Sequence, residues 1–267
     1  MFVLFSIEYL YIEAAKYFNI FDQPNYRSSH SVKTIKGGGI LIPISLVFLF
    51  FHSGNYSTLV ICSLLLGLIS FVNDIKSIRP SFRLICHIIV VIIAFNDLYI
   101  NLTNFLLFIP LIIIYVGWIN AFNFMDGING ISVFYSITTL FTILLMDDIS
   151  EHFDLIIFLG LALIVFGFFN IRKNAILFLG DVGSITIAFI IGYLITYVIN
   201  KSGDWEYILV LSVYGIDVSI TLIERIILKQ NIFKPHRKHL YQILANELGY
   251  SHIKVSFLYS MFQFIFN

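Results

Sequence analysis

Long stretches of Phe, Ile, Leu and Val alternate with short polar breaks along the whole chain. That pattern predicts membrane-spanning helices near 1–18, 39–53, 56–73, 83–96, 104–122, 128–146, 153–170, 183–200, 206–224 and 253–266. A full crossing takes about 20 residues, and the first and last segments look short or truncated beside that length. No internal repeat or low-complexity linker divides the chain. Residues 1–267 are therefore read as one all-α, polytopic membrane domain with about ten transmembrane helices.

Composition agrees. Hydrophobic residues make up 59% of the 267 and charged residues 12%, with a mean hydropathy of +0.92. A soluble domain carries roughly twice that charged fraction, so a soluble protein is excluded. Cys62 and Cys86 both lie inside apolar runs, which argues against a disulfide framework or a cysteine metal site. The N-terminus has no basic region and no small-residue cleavage site, so it is not read as a signal peptide.

The net charge is zero, but its distribution is not even. All but one of the 16 Lys and Arg residues fall in the breaks after the first, third, seventh and ninth segments. Lys201 alone falls on the other side, among Asp97, Asp147, Asp148, Glu151, Asp154, Asp204 and Glu206. The positive-inside rule places the basic breaks, and the break after the fifth segment, in the cytoplasm.

The polar motifs sit at those breaks. The first runs from Asp22 through Pro24, Arg27 and His30 to Lys33, Lys36 and Gly37-Gly38-Gly39. Glycines opening a helix could leave N–H groups free for an anion; a basic loop that only sets topology is the plainer reading. Asn73-Asp74 ends the third segment, where a solvated pair with Lys76 is the simple alternative. Asn120, Asn123 and Asp126 recur at threes before Gly127 and Gly130, and would share a face if the helix continued. Amide and carboxylate oxygens are hard ligands suited to Mg²⁺, although a polar helix–helix contact would also use them. Gly180-Asp181-Val182-Gly183-Ser184 opens the eighth segment and could be a metal–phosphate site or a helix cap. Asp217 lies inside the ninth segment, as a structural pair or a substrate contact. The last loop carries His236, Arg237, His239 and Tyr241-Gln242, which suit a pyrophosphate better than zinc. His52, His87, His152 and His252 stand alone and receive no role.

Taken in order, these motifs resemble the polyprenyl-phosphate N-acetylhexosamine-1-phosphate transferases, glycosyltransferase family 4. The loop from Asp22 and the His236-x-x-His239-x-Tyr241-Gln242 ending look like the branch that initiates O-antigen and surface polysaccharides. The resemblance implies transfer of a sugar-1-phosphate from a UDP-N-acetylamino sugar to undecaprenyl phosphate. The expected setting is the cytoplasmic face of a bacterial inner membrane. It implies Mg²⁺ held by Asn123 and Asp181, with Asp126 orienting the nucleotide or metal waters. Asp74 would be a base or positioner near the acceptor phosphate, and Phe178 would stack on uracil. Arg27, His30, His236, Arg237 and His239 would bind substrate. No nucleic-acid partner is expected, and a homo-oligomer is possible. The chain departs from the family pattern at Asn73 and Asn129, where Asp is common. Other readings are an ion-coupled transporter, which would place carboxylates near the bilayer midplane, and a catalytically weak lipid-binding relative.

Overall fold

The computed structural model describes residues 1–24, 28–100, 105–231 and 236–267, with backbone only at 105–107 and 147–148. Its helices are α1 (Phe2–Tyr17), α2 (Leu41–Ser53), α3 (Ser57–Ile75), α4 (Pro80–Asp97), α5 (Phe105–Met125) and α6 (Ile131–Leu144). They continue as α7 (Phe153–Asn170), α8 (Gly180–Ser202), α9 (Ser212–Ile227), a one-turn α10 (Leu240–Gln242) and α11 (His252–Phe266). Each apolar segment expected from the sequence is helical over most of its described residues. Six helical stretches are long and apolar enough to cross a membrane: Ser57–Ile75, Pro80–Asp97, Phe108–Met125, Ile149–Asn170, Gly180–Ser202 and Trp205–Ile227. Gly38–Ser53 and Ile131–Leu144 are apolar but shorter.

Local chemistry sets the boundaries. Pro80 opens α4 at the position where a missing N–H costs nothing. Gly54 and Gly203, both left-handed, close α2 and α8. One exception to an all-helical chain was not anticipated from the pattern. Phe21–Asp22 (β1) pairs antiparallel with Thr34–Ile35 (β2), and Ile35 bridges on to Leu177. That short ladder fastens the first loop to the segment leading into α8.

α8 is the axis of the molecule, buried almost without interruption from Val182 to Ile195. α5 bonds to it through side chains: the Tyr115 hydroxyl donates to Phe189 O at 2.6 Å and Trp118 Nε1 to Ala188 O at 2.8 Å. Such bonds matter most where no water competes for the carbonyls. Near the start of α8 the backbones themselves touch, since a Cβ on Gly39 would lie 2.2 Å from Gly183 Cα.

α9 shows the inside-out pattern of a helix in lipid. Ile216, Ile220, Ile223 and Ile227 are exposed, whereas Tyr214, Asp217, Thr221 and Arg225 are buried. In water that arrangement would expose the apolar stripe and bury the polar one, the reverse of an amphipathic surface helix.

Candidate active site

Three helix ends meet at one end of the bundle: the C-termini of α3 and α5 and the N-terminus of α8. The glycine loop holds the approach to α8 as a strand would. Phe178 N donates to Ile35 O at 2.7 Å, Gly38 N to Phe178 O at 3.0 Å and Gly39 N to Leu179 O at 2.9 Å. The N–H groups of Gly38 and Gly39 are therefore committed to backbone carbonyls. They are not the anion-binding groups that the glycine run suggested.

Asp74, at the end of α3, is buried and reaches across to the first turn of α8. Its Oδ1 accepts from Asp181 N and its Oδ2 from Val182 N, both at 3.1 Å, while Lys36 Nζ lies 3.9 Å from Oδ1. A carboxylate at a helix N-terminus satisfies orphan donors and complements the dipole. This one does so from another helix. Gly180 makes the approach feasible: its φ is +73°, and a Cβ there would lie 2.5 Å from Asp74 Oδ2. Asp181 is one residue further along, with its Oδ2 bonded by Arg83 at 2.8 Å and by Asn73 Nδ2 at 2.8 Å. Asn73 in turn accepts from Ile78 N at 2.9 Å. The amide at position 73 thus meets a carboxylate on one side and an N–H on the other.

Asp126 follows the last residue of α5, and the helix does not continue through it. Asp126 therefore leaves the face that Asn120 and Asn123 share within α5, while the Asn120 amide donates back to Val116 O. Asn123 Oδ1 accepts from the Ser184 hydroxyl at 2.6 Å, and Asp126 Oδ1 from the Ser132 hydroxyl at 2.6 Å. Burial first, then the neighbouring Asp181 and Asp74 charges, push the Asp126 carboxyl up to about 7, against the opposing Ser132 bond. Asn123, Asp126, Asp74 and Asp181 all face a cavity of about 330 Å³, which Phe178 and His30 also line. The His30 and Phe178 rings meet edge-on at 4.7 Å, and His30 Nε2 lies 3.3 Å from Asp22 Oδ2.

The other expected site residues divide. Arg27 lies outside the described residues. His236, Arg237 and His239 are not in the cavity wall; Gln242 represents the last loop there. His239 is buried against Asp217, and burial and the nearby His239, Arg225 and Lys238 charges push His236 down to about 4. His236 is therefore neutral near pH 7, and Arg237 and Lys238 carry the positive charge of residues 236–239. Asn129 turns its amide away from carboxylate work, donating to Arg172 O at 2.8 Å and Lys173 O at 3.2 Å. Asp could not make either bond.

Three residues at the site were not singled out from the sequence. Arg83 reads as a topology-setting charge until α4 brings it to Asp181. Asn170 lines the cavity and donates to Leu177 O while accepting from Gly130 N. His252, at the start of α11, also lines it and accepts from Asn129 N at 3.4 Å. A lone polar residue at an apolar helix end is the only sequence signal any of them offers. Among the described residues, no group of three or more His, Cys, Asp and Glu side chains could hold a metal by itself.

Several known proteins are similar to this chain. One relative is an undecaprenyl-phosphate alpha-N-acetylglucosaminyl 1-phosphate transferase of Thermotoga maritima, 28% identical over 241 residues, covering 88% of this chain and 76% of that protein. A phospho-N-acetylmuramoyl-pentapeptide-transferase of Petrotoga mobilis is 34% identical over 190 residues, 60% of this chain and 59% of its own length. A probable undecaprenyl-phosphate N-acetylglucosaminyl 1-phosphate transferase of Bacillus subtilis is 30% identical over 167 residues, 59% of this chain and 46% of its own. The family profile described as glycosyl transferase family 4 matches residues 56–199, a stretch that holds Asp74, Asn123, Asp126 and Asp181. The chain belongs to glycosyl transferase family 4.

Proposed function

We propose that this protein transfers an N-acetylamino-sugar-1-phosphate from a UDP-sugar to undecaprenyl phosphate, at the cytoplasmic face of a bacterial membrane, to start a surface glycan. The observation that carries this reading is the meeting of Asp74, Asp126 and Asp181, from three separate helix ends, around one cavity with an aromatic wall. The near-complete confinement of Lys and Arg to one set of breaks supports the orientation.

In the reaction an oxygen of the lipid phosphate attacks the β-phosphorus of the UDP-sugar. A new O–P bond forms, the bond from that phosphorus to the bridging oxygen breaks, and UMP leaves. Such a transfer needs alignment and charge neutralisation more than covalent help. The donor set suits Mg²⁺, which takes one or two protein carboxylates and fills its shell with phosphate and water oxygens. Asp181 and Asn123 would hold it, and when bound it neutralises charge on the diphosphate. Asp126, partly protonated before substrate arrives, orients the nucleotide end. Each Asp74 oxygen accepts one backbone N–H and keeps a further lone pair, so the carboxylate fixes the first turn of α8 and stays available as base or positioner at the acceptor phosphate. Phe178 offers a ring face to uracil, and Arg83, one hydrogen bond from Asp181, supplies fixed positive charge beside the phosphates.

Membranes containing the protein, incubated with undecaprenyl phosphate, Mg²⁺ and a panel of radiolabelled UDP-N-acetylamino sugars, should yield butanol-extractable label with one of them. Asp181→Asn should lower that yield at least 100-fold, on the scale of removing a principal electrostatic contact. Absence of label from every sugar would remove the transferase reading, and an active Asp181→Asn would remove the metal assignment.

A further inference from the structure

The buried polar stripe of α9 is not part of the cavity, yet the last loop is built on it. Asp217 is the centre. Its Oδ1 lies 3.0 Å from His239 Nδ1 and accepts from Leu240 N at 3.2 Å and from the Thr221 hydroxyl at 3.3 Å. Its Oδ2 accepts from the Tyr259 hydroxyl of α11 at 2.5 Å. Two turns further along α9, Glu224 pairs with Lys238 at 3.2 Å, and Arg225 bonds to Asn231 O. Residues 217, 221, 224 and 225 share one helical face, so the stripe holds the chain at Asn231 and again at Lys238, His239 and Leu240. A carboxylate this deep in a membrane helix is costly unless fully partnered, and here every named partner is a donor.

The loop gripped in this way passes directly to the site. His239 caps α10, its ring packs parallel to Tyr241 at 5.9 Å between centroids, and Gln242 reaches the cavity wall. The buried Tyr241 hydroxyl donates to Phe124 O at 3.0 Å, inside the Asn123–Asp126 turn. It lies so close to Gly127 that a Cβ there would be 2.1 Å from it. We infer that Asp217 is a positioning residue: through His239 and Tyr241 it fixes the turn that presents Asn123 and Asp126 to the cavity. Intramembrane carboxylates of a transporter line a pathway; this one is enclosed by the loop it holds.

The inference rests on the transferase reading for its kinetic arm only. In the full-length protein, Asp217→Asn and His239→Gln should each lower kcat about 10–100-fold, the range seen when a partner orienting a functional side chain is removed. KM for the lipid acceptor should stay within about twofold, and the double variant should be no worse than the poorer single one, because both act through one contact. Tyr241→Phe, which deletes only the hydroxyl, should reproduce the loss. Hydrogen exchange provides the arm that needs no activity. Asp217→Asn should speed exchange both at 236–242 and at 123–127, and Tyr241→Phe should speed it at 123–127. Exchange confined to 236–242 in Asp217→Asn, or multiplicative losses in the double variant, would overturn the inference. A wild-type protein without transferase activity would overturn the functional reading and leave the exchange result to decide this one.

Discussion

Asp126 concentrates the electrostatic problem of the site in one side chain. Burial, and behind it the Asp181 and Asp74 charges, lets it hold its proton up to about pH 7. The folded form therefore binds this proton more tightly than the unfolded chain does. Its contribution to stability is full below the unfolded value near pH 4 and is lost as pH rises through about 7. In metal-free protein, melting temperature should fall between pH 5 and 8, and Asp126→Asn should remove most of that fall, which corresponds to about 2–3 kcal/mol across the window. Ligand binding should run the other way. A site that needs the carboxylate should bind Mg²⁺–nucleotide more tightly as pH rises to about 7 and level off above it. Titration calorimetry across pH 5.5–8.5 would check this, and affinity independent of pH would refute it. Asn73 is the complementary case. It donates to Asp181 at 2.8 Å, so Asn73→Asp replaces that bond with like-charge contact. Without Mg²⁺ this should destabilise the protein by about 1–3 kcal/mol, the cost of a lost bond to a charged group. Added Mg²⁺ should recover most of the loss in thermal melts. Equal stability of the two proteins would show that the Asn73–Asp181 bond is unimportant.

At the scale of elements, the site is an arrangement of helix ends. The first turn of α8 is held by Asp74 from α3 and by the glycine loop, and both approaches depend on Gly180. Gly180→Ala should cost about 1–2 kcal/mol from its left-handed backbone alone. It should cost more because the new Cβ would displace Asp74 from 2.5 Å away, and activity should fall with it. A variant that melts and turns over like the parent would contradict this account of the α3–α8 junction. The helices were legible because apolar runs bounded by charge have few alternatives. What each polar motif does at its helix end was less so. Gly37-Gly38-Gly39 reads equally as an anion nest or as a close backbone crossing, and only the pairing with Phe178 and Leu179 separates the two. Asn120 and Asn123 share their spacing with Asp126, but the end of α5 at Met125 takes Asp126 off the shared face.

At the scale of the molecule, α8 forms a buried axis and the carboxylates gather at its N-terminal end. The gathering of Asp74, Asp126 and Asp181 was legible from their common side of the membrane pattern. The parts supplied by distant segments were not. Arg83, Asn170 and His252 carry no local signature, and Asp217 could be resolved between substrate contact and structural pairing only once His239 and Tyr259 were seen around it. The central claim is that the sugar leaves the nucleotide together with its phosphate. UDP-N-acetylglucosamine, or whichever UDP-sugar the panel identifies, labelled with ³²P at the β-position tests this directly. Transfer of the sugar with its phosphate moves the label into the undecaprenyl fraction and releases UMP in equal amount. Sugar label in the lipid with ³²P retained in released UDP would contradict it.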